Sequence, residues 1–209
     1  MRSLTSFAFL IFLHLSILNA QTFAPIGAEW RQMFNLTGVS NDEFRRISVV
    51  KDTVINGQEC RKLEVFEEWE EEEIDSLLRV EFTFSRNDSV FFWQQDTFLL
   101  TYNYAALPGD TITIPTYDAD TLTQFHVVLD SIVPTPVGLN NVVLNRYHTT
   151  YIDGPYNYPG GYYETIGNIT GLRSWIYVGG IIVGSPIARL RCYSDASVEI
   201  PLQTNGCSF

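Results

Sequence analysis

The chain has 209 residues, of which 45% are hydrophobic, 14% aromatic and 18% charged. That balance excludes a disordered, collagen-like or coiled-coil chain. Thirteen basic residues face 24 acidic ones, a formal net charge of −11, so the basic footprint that nucleic acid demands is missing.

Residues 1–20 read as a secretory signal peptide. Arg2 gives the positive start, Phe7 to Leu18 the apolar stretch, and Leu18-Asn19-Ala20 a cleavage site before Gln21. Leu18 is larger than the small residue preferred there, which blurs the site of the cut. The stretch is short for a membrane span, and no Cys beside the cut offers a lipid anchor. Removing 1–20 deletes Arg2 and no acid, leaving 12 basic against 24 acidic residues and a net charge of −12. The expected location is therefore periplasmic or extracellular. The best later candidate for a span, Trp175 to Ala188, is too short and contains Gly179, Gly180, Gly184 and Pro186. It reads as buried strand segments with glycine bends, so the protein is not expected to be integral to a membrane.

From there the dominant period is two. Ile47 to Ile55 and Glu59 to Phe66 flank Asn56-Gly57, a hairpin signal because both turn positions need positive φ. Glu67 to Leu78 has a helix-favouring composition without an apolar stripe, so it is either a short helix or an acidic hairpin tip. Leu78, Val80, Phe82 and Phe84 then alternate with Arg79, Glu81, Thr83 and Ser85, predicting a strand with one apolar, core-facing side. Asn87-Asp88 turns the chain into Val90 to Trp93. Phe98 to Tyr104, Thr111 to Ile114, Gln124 to Val133 and Val142 to Ile152 follow as strands. Pro108-Gly109-Asp110 and Pro134 to Asn141 separate them. Without a linker or repeat, this predicts one domain over 21–209. The predicted fold is all-β, a mostly antiparallel sandwich or barrel-like sheet with at most one or two short helices.

Cys60, Cys192 and Cys207 are the only cysteines. An exported chain meets oxidising conditions, and Cys192–Cys207 is the favoured bridge because the loop between them is short and turn-rich. Such a loop is worth roughly 3 kcal/mol. Cys60 is left unpaired, with strand parity placing it beside Lys62 and Glu64. The absence of CxxC removes a redox motif or zinc knuckle.

Several short motifs occur in a familiar order. They are Phe23-Ala-Pro-Ile-Gly-Ala-Glu-Trp30, Val50-Lys-Asp-Thr-Val-Ile-Asn-Gly57, Leu99 to Tyr104 with Pro108-Gly-Asp-Thr111, Tyr162-Tyr-Glu-Thr-Ile-Gly167 with Gly171-Leu172, and Leu190-Arg-Cys-Tyr193 with the closing Cys207. In this order the chain resembles a secreted β-rich module of Bacteroidota proteins, commonly found upstream of a type IX secretion C-terminal sorting domain. It departs from the usual Trp-Ile-Glu-Gly-Ile-Gly run at Tyr162, Tyr163 and Thr165. The sequence ends at Phe209, so the sorting domain that the resemblance implies is absent from it: either the product is truncated or it uses another route. The resemblance implies no catalytic residue set and no cofactor.

Chemistry-bearing groups are sparse. GxSxG, HExxH and phosphate-binding glycine motifs are absent. His126 and His148 each sit within a strand pattern, where a structural histidine outweighs a catalytic base or a zinc ligand. The run Glu67, Glu68, Glu70 to Glu73 and Asp75 lacks the Gly and Asn of a calcium loop, and reads as a solvated edge that discourages strand pairing. Glu164 is the one acid inside a family-like motif, and a hydrogen bond to nearby backbone explains it better than glycosidase chemistry. Tyr147, Tyr151, Tyr156, Tyr158, Tyr162 and Tyr163 cluster among Pro155, Pro159, Gly160 and Gly161. Rings with polar tips on a loop suit a neutral sugar or a protein surface, though a loop folded back over a sheet end is favoured. Asp followed by Ser or Thr and an aliphatic residue recurs at Thr53, Ser76, Ser89, Thr111, Thr121 and Ser131. The tripeptide marks a turn entering a strand; the resemblance additionally implies an acceptor for O-linked glycans. Asn35, Asn87 and Asn168 open N-x-[ST] triplets, which matter only in a eukaryotic secretory host.

The sequence thus predicts an exported, non-catalytic β-module with a structural or interaction role, without metal or cofactor. Its expected partner is a neutral glycan or another envelope or secreted protein. The rival readings are a carbohydrate-binding module using the tyrosines and, behind it, a carboxylate-based hydrolase.

Overall fold

A computed structural model describes residues 23–35, 43–69, 72–118, 120–153, 161–168, 187–203 and 207. Among them there are only strands and turns. The strands are β1 (Glu29–Asn35), β2 (Glu43–Ile55), β3 (Gln58–Trp69), β4 (Glu72–Arg86), β5 (Ser89–Gln94), β6 (Thr97–Asn103), β7 (Thr111–Asp118), β8 (Thr121–Val137), β9 (Val142–Asp153), β10 (Tyr162–Tyr163), β11 (Ile187–Ser194) and β12 (Glu199–Pro201). The signal-peptide segment, residues 1–20, lies outside the described residues, as does most of the run from Trp175 to Ala188.

The strands form two antiparallel sheets. The larger has the order β12-β11-β1-β2-β3-β4-β5-β6, the smaller β10-β9-β8-β7, and one of the two curls into a half-barrel. The all-β, sandwich-like expectation holds. Between the sheets Trp30, Ile47, Leu63, Val65, Phe92 and Tyr102 meet Ile114, Phe125, Val127, Leu129 and Tyr147 in one apolar cluster.

Local turn chemistry explains the hairpins. Asn56 and Gly57 take φ of 49° and 79°, and Asn87 and Asp88 take 51° and 54°, the left-handed pair that a two-residue hairpin needs. The β5–β6 turn uses Gln95 and Asp96 at φ of 44° and 64°, where glycine fits best. Replacing Gln95-Asp96 with Asn-Gly is expected to raise unfolding free energy by about 1 kcal/mol. A urea titration with unchanged slope is the check.

Of the two readings of Glu67 to Leu78 the acidic hairpin tip holds: β3 ends and β4 begins there, with Trp69 opposite Glu72. Two local expectations are corrected. Pro134 does not end β8, which runs to Val137. Its neighbour β7 pairs only as far as Val128, so the prolines lie where one side of β8 has no ladder to break. The second correction concerns β4. Its alternating apolar residues do not face the core: Leu78 and Val80 are 42% and 37% exposed, whereas Glu81 and Thr83 are 4% and 1% exposed. The register is the cause. Leu63 stands opposite Glu81, and Thr83 opposite Phe92, on the inner side. The inner side is already filled by Leu63 and Phe92 from the flanking strands. Arg79 reaches along the strand to bind the Glu81 carboxylate at 2.7 Å.

Two contacts link the sheets at their margins. Leu139 N–H in the β8–β9 turn donates to Pro201 O at 2.7 Å, and the Asn140 side chain donates to Glu199 O at 2.5 Å. Cys192 and Cys207 form the expected disulfide, with Cα atoms 5.3 Å apart. Cys60 is free and shares its face with Lys62 and Glu64, as parity predicts.

Candidate interaction surface

The tyrosine-rich segment is the first place to look, and the structure turns three of its four described tyrosines inward. Tyr147, Tyr162 and Tyr163 are buried at 6%, 1% and 7% exposure. Tyr151 is half-buried against Phe125, ring centroids 6.3 Å apart. Tyr156 and Tyr158 lie outside the described residues. Tyr147 stacks on Tyr162 at 5.0 Å with 6° between planes, and Tyr104 meets both edge-on at 5.3 and 5.5 Å.

The hydroxyls explain the burial. Tyr162 donates to Asn103 O at 2.6 Å, Tyr147 to Tyr104 O at 3.3 Å and Tyr104 to Tyr163 O at 3.2 Å. A buried phenol needs such a partner. Here the partners are backbone carbonyls at the last residue of β6, just after it and in β10, so the rings tie the smaller sheet to the end of the larger. Two glycines allow the close approach. A Cβ on Gly161 would stand 2.0 Å from Tyr147 O, and one on Gly167 would stand 2.7 Å from the Tyr102 hydroxyl. Trp30 Nε1–H donates to Ile166 O at 3.0 Å, fixing the same turn from β1. Glu164 holds this turn through its backbone: its N–H donates to Asn145 O at 2.9 Å, and its carbonyl accepts from Ile166 N–H. These are main-chain bonds; among the described residues the hydrogen bond expected between the Glu164 carboxylate and nearby backbone is not seen.

Burial pushes the phenols of Tyr104, Tyr147, Tyr162 and Tyr193 upward. For Tyr193 the hydrogen bond to Asp195 adds to it. A raised folded value favours the protonated native state, so this contribution is whole below the unfolded tyrosine value near 10 and is lost as pH climbs past it. Of the 11 tyrosines, these four are expected to ionise only as the fold opens. Absorbance titration at alkaline pH, followed alongside circular dichroism, checks this: their ionisation should coincide with loss of the β signal.

The remaining chemistry is dispersed. His126 Nδ1 lies 2.6 Å from Asp153 on the outer side of the smaller sheet. His148 stands opposite Ser131, so the structure keeps the two histidines on separate strands. Among the described residues no group of three metal-ligating side chains comes together. Of the acidic run, residues 70 and 71 lie outside the described residues, and the remainder follows the β3–β4 hairpin. Among the Asp-Ser/Thr sites, Ser89, Thr111 and Thr121 open strands, as turn chemistry predicts. Thr53, Ser76 and Ser131 lie inside them. Ser76, Thr111 and Thr121 are exposed. Asn168 is 3% exposed.

The surface that sequence reasoning missed is the outer side of β4, β5 and β6. There Phe84 stacks on Phe91 at 4.7 Å and 8°, meets Phe98 edge-on at 4.8 Å and 89°, and Phe98 meets Trp93 at 4.9 Å. Phe66, Leu77, Val80 and Phe82 continue the patch across β3 and β4. Phe84 at its centre is buried at 9% exposure, Phe66, Phe82, Phe91, Trp93 and Phe98 are half-buried, and the exposed rim includes Leu77 at 52%. A contiguous apolar area of this kind marks an interaction site more often than isolated exposed residues do. The flank toward β1 is polar. Arg46 lies 4.5 Å above the Phe66 ring and 3.6 Å from Glu29, which also accepts from Ser48 at 3.0 Å. Lys62 pairs with Glu64 at 2.5 Å. Arg86 caps the other end, 5.8 Å from the Phe84 ring. Cys60 is buried on the same side, and that burial pushes its thiol up, which keeps it protonated and unreactive. The signal was in the alternation of β4; the error was to assume that an apolar side must be the inner one.

No family model, curated protein or solved structure matches the chain. Among the described residues no helix is long and apolar enough to cross a membrane. The disulfide indicates an oxidising compartment.

Proposed function

We propose that the protein is an exported, non-catalytic β-module that acts by contact, through the outer aromatic side of β4–β6. The observation that carries this reading is that patch: aromatic rings gathered on the side of a sheet that the core does not need. Burial leaves Tyr147, Tyr162 and Tyr163 little exposed face for a sugar, and the hydroxyls of Tyr147 and Tyr162 are already given to backbone carbonyls. The outer rings also suit a protein better than a glycan. Sugars stack on ring faces, whereas Phe84 and Phe91 stack on one another and Phe98 packs edge-to-face with both Phe84 and Trp93. The ring edges that remain favour an apolar protein surface. Export follows from the reading of residues 1–20 and agrees with the disulfide. Exposed Ser76, Thr111 and Thr121 would be the most accessible acceptors for O-linked glycans.

The test places a photo-activated benzophenone side chain at Phe91 and, separately, at exposed Thr113 on the smaller sheet, in the producing cell. Protein adducts from position 91 and none from 113 are expected. Polysaccharide and peptide panels are expected to show no turnover. Hydrolysis abolished by Glu164→Gln, with the fold intact, would replace this reading with an enzyme.

A further inference from the structure

On the outer side of the larger sheet the register sets three rows across β1–β4. Arg31, Arg46, Phe66 and Leu77 form one, Glu29, Ser48, Glu64 and Val80 the next, and Lys51, Lys62 and Phe82 the third. These rows hold four cations and two carboxylates. The whole chain has the opposite balance, 13 basic residues against 24 acidic. Two of the rows also set like charges directly opposite each other, Arg31 against Arg46 and Lys51 against Lys62. Cross-strand pairs of this kind destabilise a sheet. Glu29 relieves the first pair, lying 3.8 Å from Arg31 and 3.6 Å from Arg46. In the second, Glu64 takes Lys62, and the nearby Asp52 is bound to Arg61. Lys51 stays exposed, without a carboxylate partner among the described residues.

Resting on the reading of the outer side as a contact surface, we propose that its partner is a protein segment that brings a carboxylate to the Lys51–Lys62 row and apolar side chains to Phe82 and Val80 beside it. Charge complementarity carries the choice. A carboxylate seated between the two ammonium groups removes a repulsion that the fold otherwise bears. Lys62 stands opposite Phe82, so one segment crossing the strands reaches both the charge and the rings. Past Phe66 and Leu77 the outer side leads into the acidic β3–β4 tip, which repels such a segment and leaves the Lys51–Lys62 row as its place. The chain's own charge of −11 opposes an acidic partner at long range. At physiological salt that repulsion is screened beyond about 8 Å, while the lysine row acts at contact.

Purified protein carrying benzophenone at Phe91 tests this with three synthetic dodecapeptides, alternating Leu–Glu, Leu–Lys and Ser–Glu. At physiological salt, irradiation should capture Leu–Glu about fivefold more than either of the others. Lys51→Glu should cut capture of Leu–Glu about fivefold and raise that of Leu–Lys. The same variant should raise the urea midpoint, because it turns a like-charge cross-strand pair into an opposite one. The lost capture is then not a lost fold. Lys51→Gln, which removes the charge and adds none, should cut capture about twofold and covers the case in which the first variant misfolds. Equal capture of Leu–Glu and Leu–Lys, or of Leu–Glu and Ser–Glu, overturns the proposal. So does capture of Leu–Glu that both Lys51 variants leave unchanged. Adducts from position 91 in the cell, alongside any of those results, keep the contact reading and remove the acidic partner alone.

Discussion

Trp30→Ala is expected to reduce unfolding free energy by about 3–5 kcal/mol, a large share of what a domain of this size typically holds. The indole is fully buried. Its ring packs 5.8 Å from Phe23 and 5.1 Å from Tyr193. Truncation opens a cavity between β1, β11 and the N-terminal turn, and it strands the Ile166 carbonyl that Nε1–H satisfies. Trp30→Phe separates the two effects. It restores most of the packing and loses the donor, for about 2 kcal/mol. Urea midpoints of the two variants, read at constant slope, give the ratio. If both lose equally, the hydrogen bond dominates and packing does not.

Removing the bridge by Cys207→Ser is expected to cost about 3 kcal/mol, the chain-entropy value for closing a loop of this length. Reductant should lower the wild-type midpoint to that of the variant and leave the variant itself unmoved. Cys60→Ser should stay insensitive to reductant beyond the wild-type response, because Cys60 is outside the bridge. The variant should still fold. Tyr193 donates to Asp195 at 2.6 Å, and Leu202 N–H donates to Arg191 O at 2.7 Å. These bonds hold the β11–β12 pair without the sulfur link.

Local chemistry was readable from the sequence and sidedness was not. Asn56-Gly57 and Asn87-Asp88 declare their turns because few residues take positive φ, and Cys192–Cys207 declares itself by nearness. Gln95-Asp96 makes the same turn with residues that carry no such mark. In β4 the period of two is plain, but periodicity cannot say which side meets the core; that depends on Leu63 and Phe92 in neighbouring strands. The tyrosines are harder still. Glycine and proline around them suggest an exposed loop, while the carbonyls of Asn103 and Tyr104 that draw the hydroxyls inward belong to a distant segment. Long-range partners of this kind leave no local trace, and the same holds for Trp30 and Ile166.

The position of β1 sets a condition on when the molecule can form. This strand lies between β2 and β11, with Glu29 opposite both Ser48 and Ser194. One of its ladders closes early in synthesis and the other only after almost the whole chain has been delivered. Until then one edge of β1 lacks its final partner, and Trp30 waits for Tyr193. Contacts between such remote segments slow the search, placing folding toward the millisecond-to-second range of β-rich domains. A chain threaded through a pore from its N-terminus would therefore remain incomplete, and open to chaperones or proteases, until its last strands emerge.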